Sequence, residues 1–363
     1  MAFATIDKGS KYFNTITYTG TGASLANTGV GFQPDWVWIK GRSGATDHGL
    51  YDAVRGVQKD LVSNSTAAET TQTTGLTAFG SDGFTVGALA KLNTSAATYV
   101  AWNWLGANTT VSNTSGSITS TVSANTTSGF SIVSWTGTGA NGTVGHGLGT
   151  TPAIIITKAR SAFGSDAWYV VHQKSWGNDG NGLVLNNTAG IYNRVTDLAG
   201  TGITAWSSST FTINQGSASF LNNTSIPYIA YCFAEVKGYS KFGSYTGNGS
   251  TDGTFVYTGF KPAFVMWKCT DNIGENWCML DNKRDTFNLS IRRISAESSA
   301  VEAVGGGSGT AIFDMLSNGF KHRGSGSVSN GSGNNYIYMA FADSPFVSSK
   351  AIPTTARWFA KTI

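Results

Sequence analysis

The sequence predicts an all-β protein made of three tandem, diverged β-sandwich modules that are jelly-roll-like. Three observations predict this fold class: the composition, the many short apolar runs between turn signals, and an internal repeat. Only 12% of the residues are charged, against about 25% in typical soluble domains, and 46 residues are glycine. With 40% apolar residues, the chain is still hydrophobic enough to fold.

The first element of each module is an aromatic residue followed by Thr-Gly-x-Gly. Glycine adopts positive φ without steric cost, so this pattern indicates a tight turn after a strand. The three copies begin at Tyr18, Trp135 and Tyr245.

The second element is a proline followed by an apolar strand that ends in lysine, always six residues after the proline. Proline lacks an N–H and is therefore expected where a strand begins. The apolar run after it is typical of a strand covered on both faces. The three copies are Pro34 to Lys40, Pro152 to Lys158 and Pro262 to Lys268.

Three further elements follow in the same order in each module. An acidic residue leads into an apolar strand (Asp47, Asp166, Glu275), and a turn that begins with serine leads into a phenylalanine (Ser81, Ser208, Ser317). An aromatic strand closes the module (Tyr99, Tyr228, Tyr338). Two stretches, 50–61 and 293–303, are predicted as short helices. Five elements in one order, three times over, predict that a single fold was copied twice.

Composition sets the boundaries between the modules. A Ser/Thr/Asn-rich stretch with few apolar residues indicates a connector. The predicted units are module 1 with a short N-terminal arm (1–106), the connector (107–128), module 2 (129–238), module 3 (239–344) and a C-terminal tail (345–363).

Charge and cysteine content argue against several classes of protein. The net charge is +4 and the basic residues are scattered, which disfavours a nucleic-acid groove. Cys232, Cys269 and Cys278 fit neither a disulfide framework nor a metal cluster, and no cofactor or metal is expected. The first residues lack the pattern of a signal peptide, and no apolar run is long enough to span a bilayer. We therefore expect synthesis in a cytoplasm, without export by a signal of its own and without membrane insertion.

No combination of residues predicts catalysis. His48 and His172 lie near the acidic element, where a structural hydrogen bond is the simpler interpretation. Asp47 with Asp52, and Asp271 with Asp281, could flank a sugar as in glycosidases, but module 2 has no matching pair. A glycosidase stays a minor hypothesis, and the chain is predicted not to be an enzyme.

The combined motifs resemble a repeat domain of uncharacterised virion proteins in tailed bacteriophages, especially marine ones. The resemblance is carried by FNTITYTGTG, FQPDWVWIKGRS and YVAWNWLGA in module 1, and by WYVVHQKSWG and YIAYCFAEVKGYSKFGSYTGNG later. It covers nearly the whole chain. Module 3 departs from it: Lys268-Cys-Thr-Asp replaces the Lys-x-Arg-Ser of Lys40–Ser43 and Lys158–Ser161.

The resemblance implies a structural or tail-fibre-like protein located in the virion, with other virion proteins as partners. One hypothesis is a receptor-binding component that contacts host-surface polysaccharide, because repeated weak sites gain avidity. The alternative is a head decoration, cement or adaptor protein that makes only protein–protein contacts. A homo-oligomer is expected, with a trimer favoured.

Two tryptophans near turns are the candidate ligand-binding residues, Trp176 and Trp206. Both are flanked by short polar side chains, and an exposed ring in such surroundings can stack on a sugar. Packing of these rings in a core is the alternative interpretation.

Overall fold

The computed structural model describes residues 5–162, 167–215, 221–305 and 312–345. In these ranges the protein is almost entirely β, and all pairs of named strands are antiparallel. The helices are short: a 3-10 turn (Gly9–Lys11), α1 (Ala90–Asn93) and α2 (Gln173–Trp176). The predicted all-β, sandwich-type fold class is confirmed, and its description as a jelly roll stays a prediction.

Module 1 contains two stacked sheets and one small ribbon. Its strands are β1 (Phe13–Thr19), β2 (Leu25–Asn27), β3 (Trp36–Gly41), β4 (Gly49–Asp52), β5 (Lys59–Asp60), β6 (Thr70–Thr71), β7 (Leu76–Gly80), β8 (Gly83–Val86) and β9 (Thr98–Trp104). The larger sheet has the order β1-β9-β3-β4, the smaller has β2-β8-β7, and β5 pairs with β6.

The middle of the chain forms a seven-stranded and a three-stranded sheet. Its strands are β10 (Val111–Asn113), β11 (Ser120–Asn125), β12 (Phe130–Thr136), β13 (Gly142–Gly145), β14 (Ile154–Ala159), β15 (Tyr169–His172), β16 (Leu183–Val184), β17 (Gly202–Trp206), β18 (Thr210–Asn214) and β19 (Pro227–Phe233). The orders are β10-β11-β12-β19-β14-β15-β16 and β13-β18-β17.

Module 3 has a six-stranded and a three-stranded sheet. Its strands are β20 (Ser240–Thr246), β21 (Phe255–Tyr257), β22 (Phe260–Cys269), β23 (Cys278–Asp281), β24 (Arg292–Ser295), β25 (Ala303–Val304), β26 (Phe313–Leu316), β27 (Gly319–His322) and β28 (Asn335–Pro345). The orders are β20-β28-β22-β23-β24-β25 and β21-β27-β26.

The same strand order therefore occurs in all three regions. The four strands β1-β9-β3-β4 correspond to β12-β19-β14-β15 and to β20-β28-β22-β23. The three prolines fall at one place in this order, two residues before the residue that pairs with Trp104, Phe233 or Phe341 of the closing strand. Pro262 lies inside β22, where the register shifts and no regular ladder bond is needed from it. That the regions are diverged copies of one module stays our interpretation.

The three larger sheets turn one face toward a common core. At its centre lie three equivalent rings from the closing strands: Trp104, Phe233 and Phe341. Their centroids form a nearly equilateral triangle, with sides of 6.3, 5.8 and 5.8 Å. The apolar core thus continues through all three modules.

The opposite face of each larger sheet packs on the smaller sheet of its own module. In module 1 this second layer joins Val37 and Ile39 of β3 to Phe84 and Val86 of β8. Because side chains alternate along a strand, β3 is buried on both faces, as its apolar sequence indicated.

A buried asparagine holds each Thr-Gly-x-Gly turn. In module 1 the Asn93 side-chain oxygen accepts from Thr21 N at 2.8 Å, and its carbonyl accepts from Gly22 N at 2.8 Å. Gly22 has φ +74°, as the turn requires. The equivalent asparagines are Asn222 and Asn330. These residues were missed from the sequence.

Several expectations from the sequence were wrong. The closing strand of module 3 was placed two residues late: Tyr336, not Tyr338, is equivalent to Tyr99 and Tyr228, since it pairs and stacks with Tyr245. Tyr338-Met-Ala-Phe resembles the other two closing strands in sequence. A shift of two residues leaves the side chains on the same face of the sheet, so alternation does not distinguish the two registers, and the pairing with β20 does.

The connector and the two helices also differ from expectation. The connector 107–128 contains β10 and β11, which extend the larger sheet of module 2 and bury Ile118 and Val122. The stretches 50–61 and 293–303 form strands and turns, because tertiary pairing prevails over local helix propensity. Asp166 and the tail beyond Pro345 lie outside the described residues.

Candidate functional site

The modules contact one another in a closed cycle through the lysines at the ends of the proline-led strands. Lys40 is fully buried, and its ammonium donates to the carbonyls of Ala300 (2.8 Å) and Ser299 (3.3 Å) in module 3. Lys158 donates to Thr66 of module 1, and Lys268 donates to the Thr188 carbonyl of module 2. Burial lowers the pKa of Lys40 to about 8. Each module thus binds the next with an equivalent residue.

A cluster of charged residues closes the interface between modules 1 and 3. Glu302 of module 3 accepts two parallel hydrogen bonds from Arg42, at 2.9 and 3.0 Å. It also binds Arg284 at 3.1 Å and Arg292 at 3.3 Å. Arg284 in turn pairs with buried Asp281 at 2.6 Å. The interface is filled by these side chains.

The interface between modules 2 and 1 repeats this cluster. Glu69 binds Arg160 through two bonds of 2.9 Å, and it binds Arg55 at 3.2 Å. Arg55 also pairs with buried Asp52. Burial alone would raise the pKa of Glu69, but the bonds and charges of the two arginines outweigh it, and the pKa lies below its usual value. The same holds for Glu302.

The third interface, between modules 3 and 2, has no such cluster, because each of its three equivalent positions carries an uncharged residue. Backbone hydrogen bonds identify the equivalent positions: Ile191 N donates to Thr270 O as Glu69 N does to Arg160 O and Glu302 N to Arg42 O. Ser175 replaces the second arginine, since it follows His172 by three residues as Arg55 follows Asp52. Thr270, Ser175 and Ile191 thus stand where Arg, Arg and Glu stand elsewhere.

A groove of about 370 Å³ lies at this third interface, and these three uncharged side chains line it. Its other lining residues are Lys174, Trp176, Ser244, Asp271, Asn335, Tyr336 and Ile337. The groove therefore occupies the place of the charged cluster. Open concave sites with an aromatic ring and a few polar groups are typical of ligand binding.

Trp176 is held in this groove by α2. The ring is half-buried and contacts His172 edge-on, with 6.2 Å between the centroids. His172 caps α2 by accepting from Ser175 N at 3.2 Å, and it lies 2.8 Å from Ser175 Oγ. Burial lowers the pKa of His172 to about 4, so the ring is neutral at pH 7. This is the same cap that Asp52 and Asp281 provide elsewhere, which makes His172 a structural residue.

The polar wall of the groove is made by Asp271 and Asn335. Asp271 Oδ2 accepts from Asn335 N at 2.7 Å and from Asn335 Nδ2 at 3.0 Å. Its other oxygen accepts from Thr270 Oγ1 at 2.8 Å. Both Asp271 and Asn335 are exposed. These contacts fix two hydrogen-bonding side chains in the groove that Trp176 also lines, without burying them.

Of the two tryptophans selected from the sequence, the structure places one in the groove. Trp206 lies at the end of β17 and packs against the core of module 2. It is half-buried, and it is not among the described residues that line the groove. Trp176 packs in part against the same core, so core packing describes part of the surroundings of both rings, and Trp176 also lines the groove.

The other candidate groups have structural partners. His48 accepts from Trp38 Nε1 at 2.8 Å and lies 3.1 Å from the Ser295 carbonyl of module 3. Asp52 and Asp281 are fully buried and paired with arginines. No group of three metal-ligating side chains was found in the described residues. Nor does any described helix have the length and apolar character to cross a membrane.

The chain belongs to a family whose model is described as a domain of unknown function (DUF7483), which matches residues 8–345. The match spans all three modules. No curated protein matches the chain.

Proposed function

We propose that this chain is a non-enzymatic virion protein of a tailed bacteriophage that binds host-surface glycans, and that the groove at Trp176 is its binding site. The observation that carries the binding site is the replacement of Arg, Arg and Glu by Ser175, Thr270 and Ile191 at a groove that is also lined by a half-buried tryptophan. The virion assignment rests on the resemblance of the sequence motifs to tailed-phage proteins.

The chemistry of the groove suits a sugar. A pyranose ring has one face of C–H groups, which packs on an indole, and an edge of hydroxyls, which need hydrogen-bond partners. Trp176 offers the indole, and Asp271 and Asn335 offer acceptors and a donor that are already fixed by mutual hydrogen bonds. Prior fixing of these groups lowers the entropic cost of binding.

Glycan binding by Trp176 is tested with Trp176→Ala on the purified full-length protein. We expect affinity for bacterial surface glycans, measured on a glycan array and then by calorimetry, to fall at least about tenfold, or about 1.4 kcal/mol. Trp206→Ala is the matched control, because it removes a half-buried indole outside the groove. Equal affinity of wild type and Trp176→Ala for every bound glycan would contradict the proposed site.

A decoration or adaptor protein is the second candidate, and a specific observation favours it. Three large apolar side chains of module 3 are well exposed: Ile273 (87%), Phe287 (84%) and Leu289 (48%). Exposed apolar groups are typical of protein–protein contacts. Immunogold labelling of intact phage particles separates the candidates. Label on the tail supports adhesion, label on the capsid supports decoration, and unlabelled particles contradict both.

A further inference from the structure

A depression in module 3 lies at a place that is filled by protein in the other two modules. Its volume is about 190 Å³, and it is lined by Glu235, Lys237, Gly238, Ser240, Lys241, Tyr257, Thr258 and Gly259. We propose that this depression is the docking site of the segment that follows Pro345 in the same chain. The inference goes beyond the proposed function and does not depend on it.

The register of the strands identifies the equivalent residues around this place. One set lies four residues before the aromatic turn residue of each module: Asn14, Ser131 and Lys241. The other set lies three residues after the residue that pairs with the phenylalanine of each serine-led turn: Val30, Gly147 and Gly259. Gly147 and Gly259 also share a positive φ, of +73° and +82°. Lys241 and Gly259 both line the depression, so the same place can be compared in all three modules.

In module 2 a strand fills this place. Ala124 of β11 pairs with Ser131, and a Cβ added to Gly147 would lie 3.0 Å from Ala124 Cβ. The same Cβ would lie 3.3 Å from Val122 Cγ2, so two small apolar side chains of β11 cover Gly147. Module 3 is preceded by no such strand, because β20 follows closely on β19.

In module 1 a single side chain closes the place. Asn14 Nδ2 donates to the Val30 carbonyl at 2.9 Å. Lys241, the equivalent of Asn14, instead binds Glu235 at 2.8 Å and lines the open depression. The described residues of module 3 therefore leave open a space that the chain occupies in modules 1 and 2.

Strand β20 also has no neighbouring strand on its outer side among the described residues. It is the edge of its sheet, whereas its equivalent β12 carries β11 and β10 beyond it. The ring of Tyr257, which lines the depression, is 59% exposed. Proteins commonly cover a sheet edge with another segment of chain, because an open edge pairs readily with foreign strands.

The segment that follows Pro345 starts next to the depression. Pro345 ends β28 and pairs with Phe260, which directly follows Gly259. About three extended residues cover about 10 Å, so the first residues of the segment reach the depression. A segment tethered this close has a high effective concentration at the site, which favours it over a second copy or a foreign strand.

The chemistry of the segment suits the depression. Residues 346–363 lie outside the described residues, and the first four of them (Phe346-Val-Ser-Ser) carry no charge. The depression does not require a charged occupant, because Lys241 at its rim already binds Glu235. An uncharged segment with an aromatic ring gains apolar contact beside Tyr257 without desolvation of a charge of its own.

The test measures how fast hydroxyl radicals oxidise Tyr257 in the full-length protein, with the modified residue identified by mass spectrometry. The variant Phe346→Ser, Val347→Ser removes the two apolar side chains that would cover the ring. We expect Tyr257 to be oxidised at least about threefold faster than in the wild type, because the ring loses its cover. Phe287, which is exposed elsewhere in module 3, should react equally in both proteins.

A matched control changes the same segment further along. Trp358→Ser with Phe359→Ser removes two apolar rings and should leave the oxidation of Tyr257 unchanged. Equal oxidation of Tyr257 in the wild type and the first variant, or equal acceleration in both variants, overturns the proposal. Faster oxidation of Phe287 in place of Tyr257 also overturns it, since the segment would then lie elsewhere. Protection of Tyr257 that disappears when the wild type is diluted overturns docking within one chain and assigns the segment to a second copy.

Discussion

Two of the three module interfaces are filled by charged side chains, and the third is an open groove. The backbone is equivalent at all three, since the same N–H to C=O bond joins Glu69 to Arg160, Glu302 to Arg42 and Ile191 to Thr270. The difference lies in the side chains at these three positions and in α2, which stands where the other two modules have a turn. The comparison teaches that one interface of such a closed cycle of modules can hold an open groove where the other two hold a charged cluster, while the strand order stays the same.

The central core explains why that loss is tolerated. The triangle of Trp104, Phe233 and Phe341 joins the modules at the centre of the common core, where burial of apolar surface stabilises the assembly. Buried ion pairs add little net stability, because their desolvation offsets most of the attraction. Replacement of a complete cluster by uncharged residues is therefore tolerated, whereas removal of one member is not.

The replacement extends below the groove. Tyr231 donates to Asp52 at 2.8 Å, and the equivalent Trp102 donates to Asp281 at 3.0 Å. At the third interface the equivalent pair is Met339 and His172, and a thioether has no proton to donate. Nε2 of His172 has no hydrogen-bond partner among the described residues. At this interface both members of the donor–acceptor pair therefore differ from those at the other two interfaces.

Removal of one glutamate from a filled interface should have the largest effect. Glu302→Ala leaves Arg42 and Arg284 without their shared carboxylate, and we expect the free energy of unfolding to fall by about 3–5 kcal/mol. Ile191→Ala, at the equivalent position of the open interface, should change it by no more than about 0.5 kcal/mol. Urea denaturation of both variants measures the difference.

A surface acid provides the control for that comparison. Asp7 pairs with Lys11 in solvent, and Asp7→Ala should leave stability unchanged. If Glu302→Ala lowered the free energy of unfolding as little as Ile191→Ala does, the charged cluster would not stabilise its interface as described.

A smaller effect is expected from pH. The pKa values of Glu69 and Glu302 lie below the ordinary 4.5 in the folded protein, so the unfolded chain takes up protons first as the pH falls. Their contribution to stability is complete above about pH 4.5 and is lost as the pH drops through the lower folded values. The double variant Glu69→Gln, Glu302→Gln should show a shallower loss of stability in this range.

Denaturation of wild type and double variant between pH 7 and pH 3 checks this expectation. Asp35, whose pKa burial raises to about 6, contributes equally to both proteins and cancels in the difference. Parallel pH profiles would show that the two glutamates are not stabilised in their ionised form.

Much of the fold could be predicted from the sequence, because turn glycines, prolines and buried strands each have a local signature. The register of module 3 could not, since Tyr336 and Tyr338 both begin an apolar run. That error also hid the buried asparagines. Asn93, Asn222 and Asn330 each precede the true closing tyrosine by six residues, a spacing that is visible only in the correct register.

The candidate site was only partly accessible from the sequence. Trp176 was selected for its polar neighbours, and the change from Arg to Thr270 was noted as a departure of module 3. The effect of this change on the module interface could not be predicted, because the partner of the equivalent arginine lies in another module, as Arg160 and Glu69 show. A contact between residues 91 positions apart leaves no local pattern.

The central claim is that the groove is the place of a lost charged cluster and binds the ligand. The variant Ser175→Arg, Thr270→Arg, Ile191→Glu, with His172→Asp to supply the carboxylate that pairs with the second arginine at the other two interfaces, restores the cluster and should fill the groove. We expect a folded protein, with a melting temperature no lower than that of the wild type, that no longer binds the glycans found for the wild type in calorimetry. Wild-type affinity in this folded variant would contradict the claim.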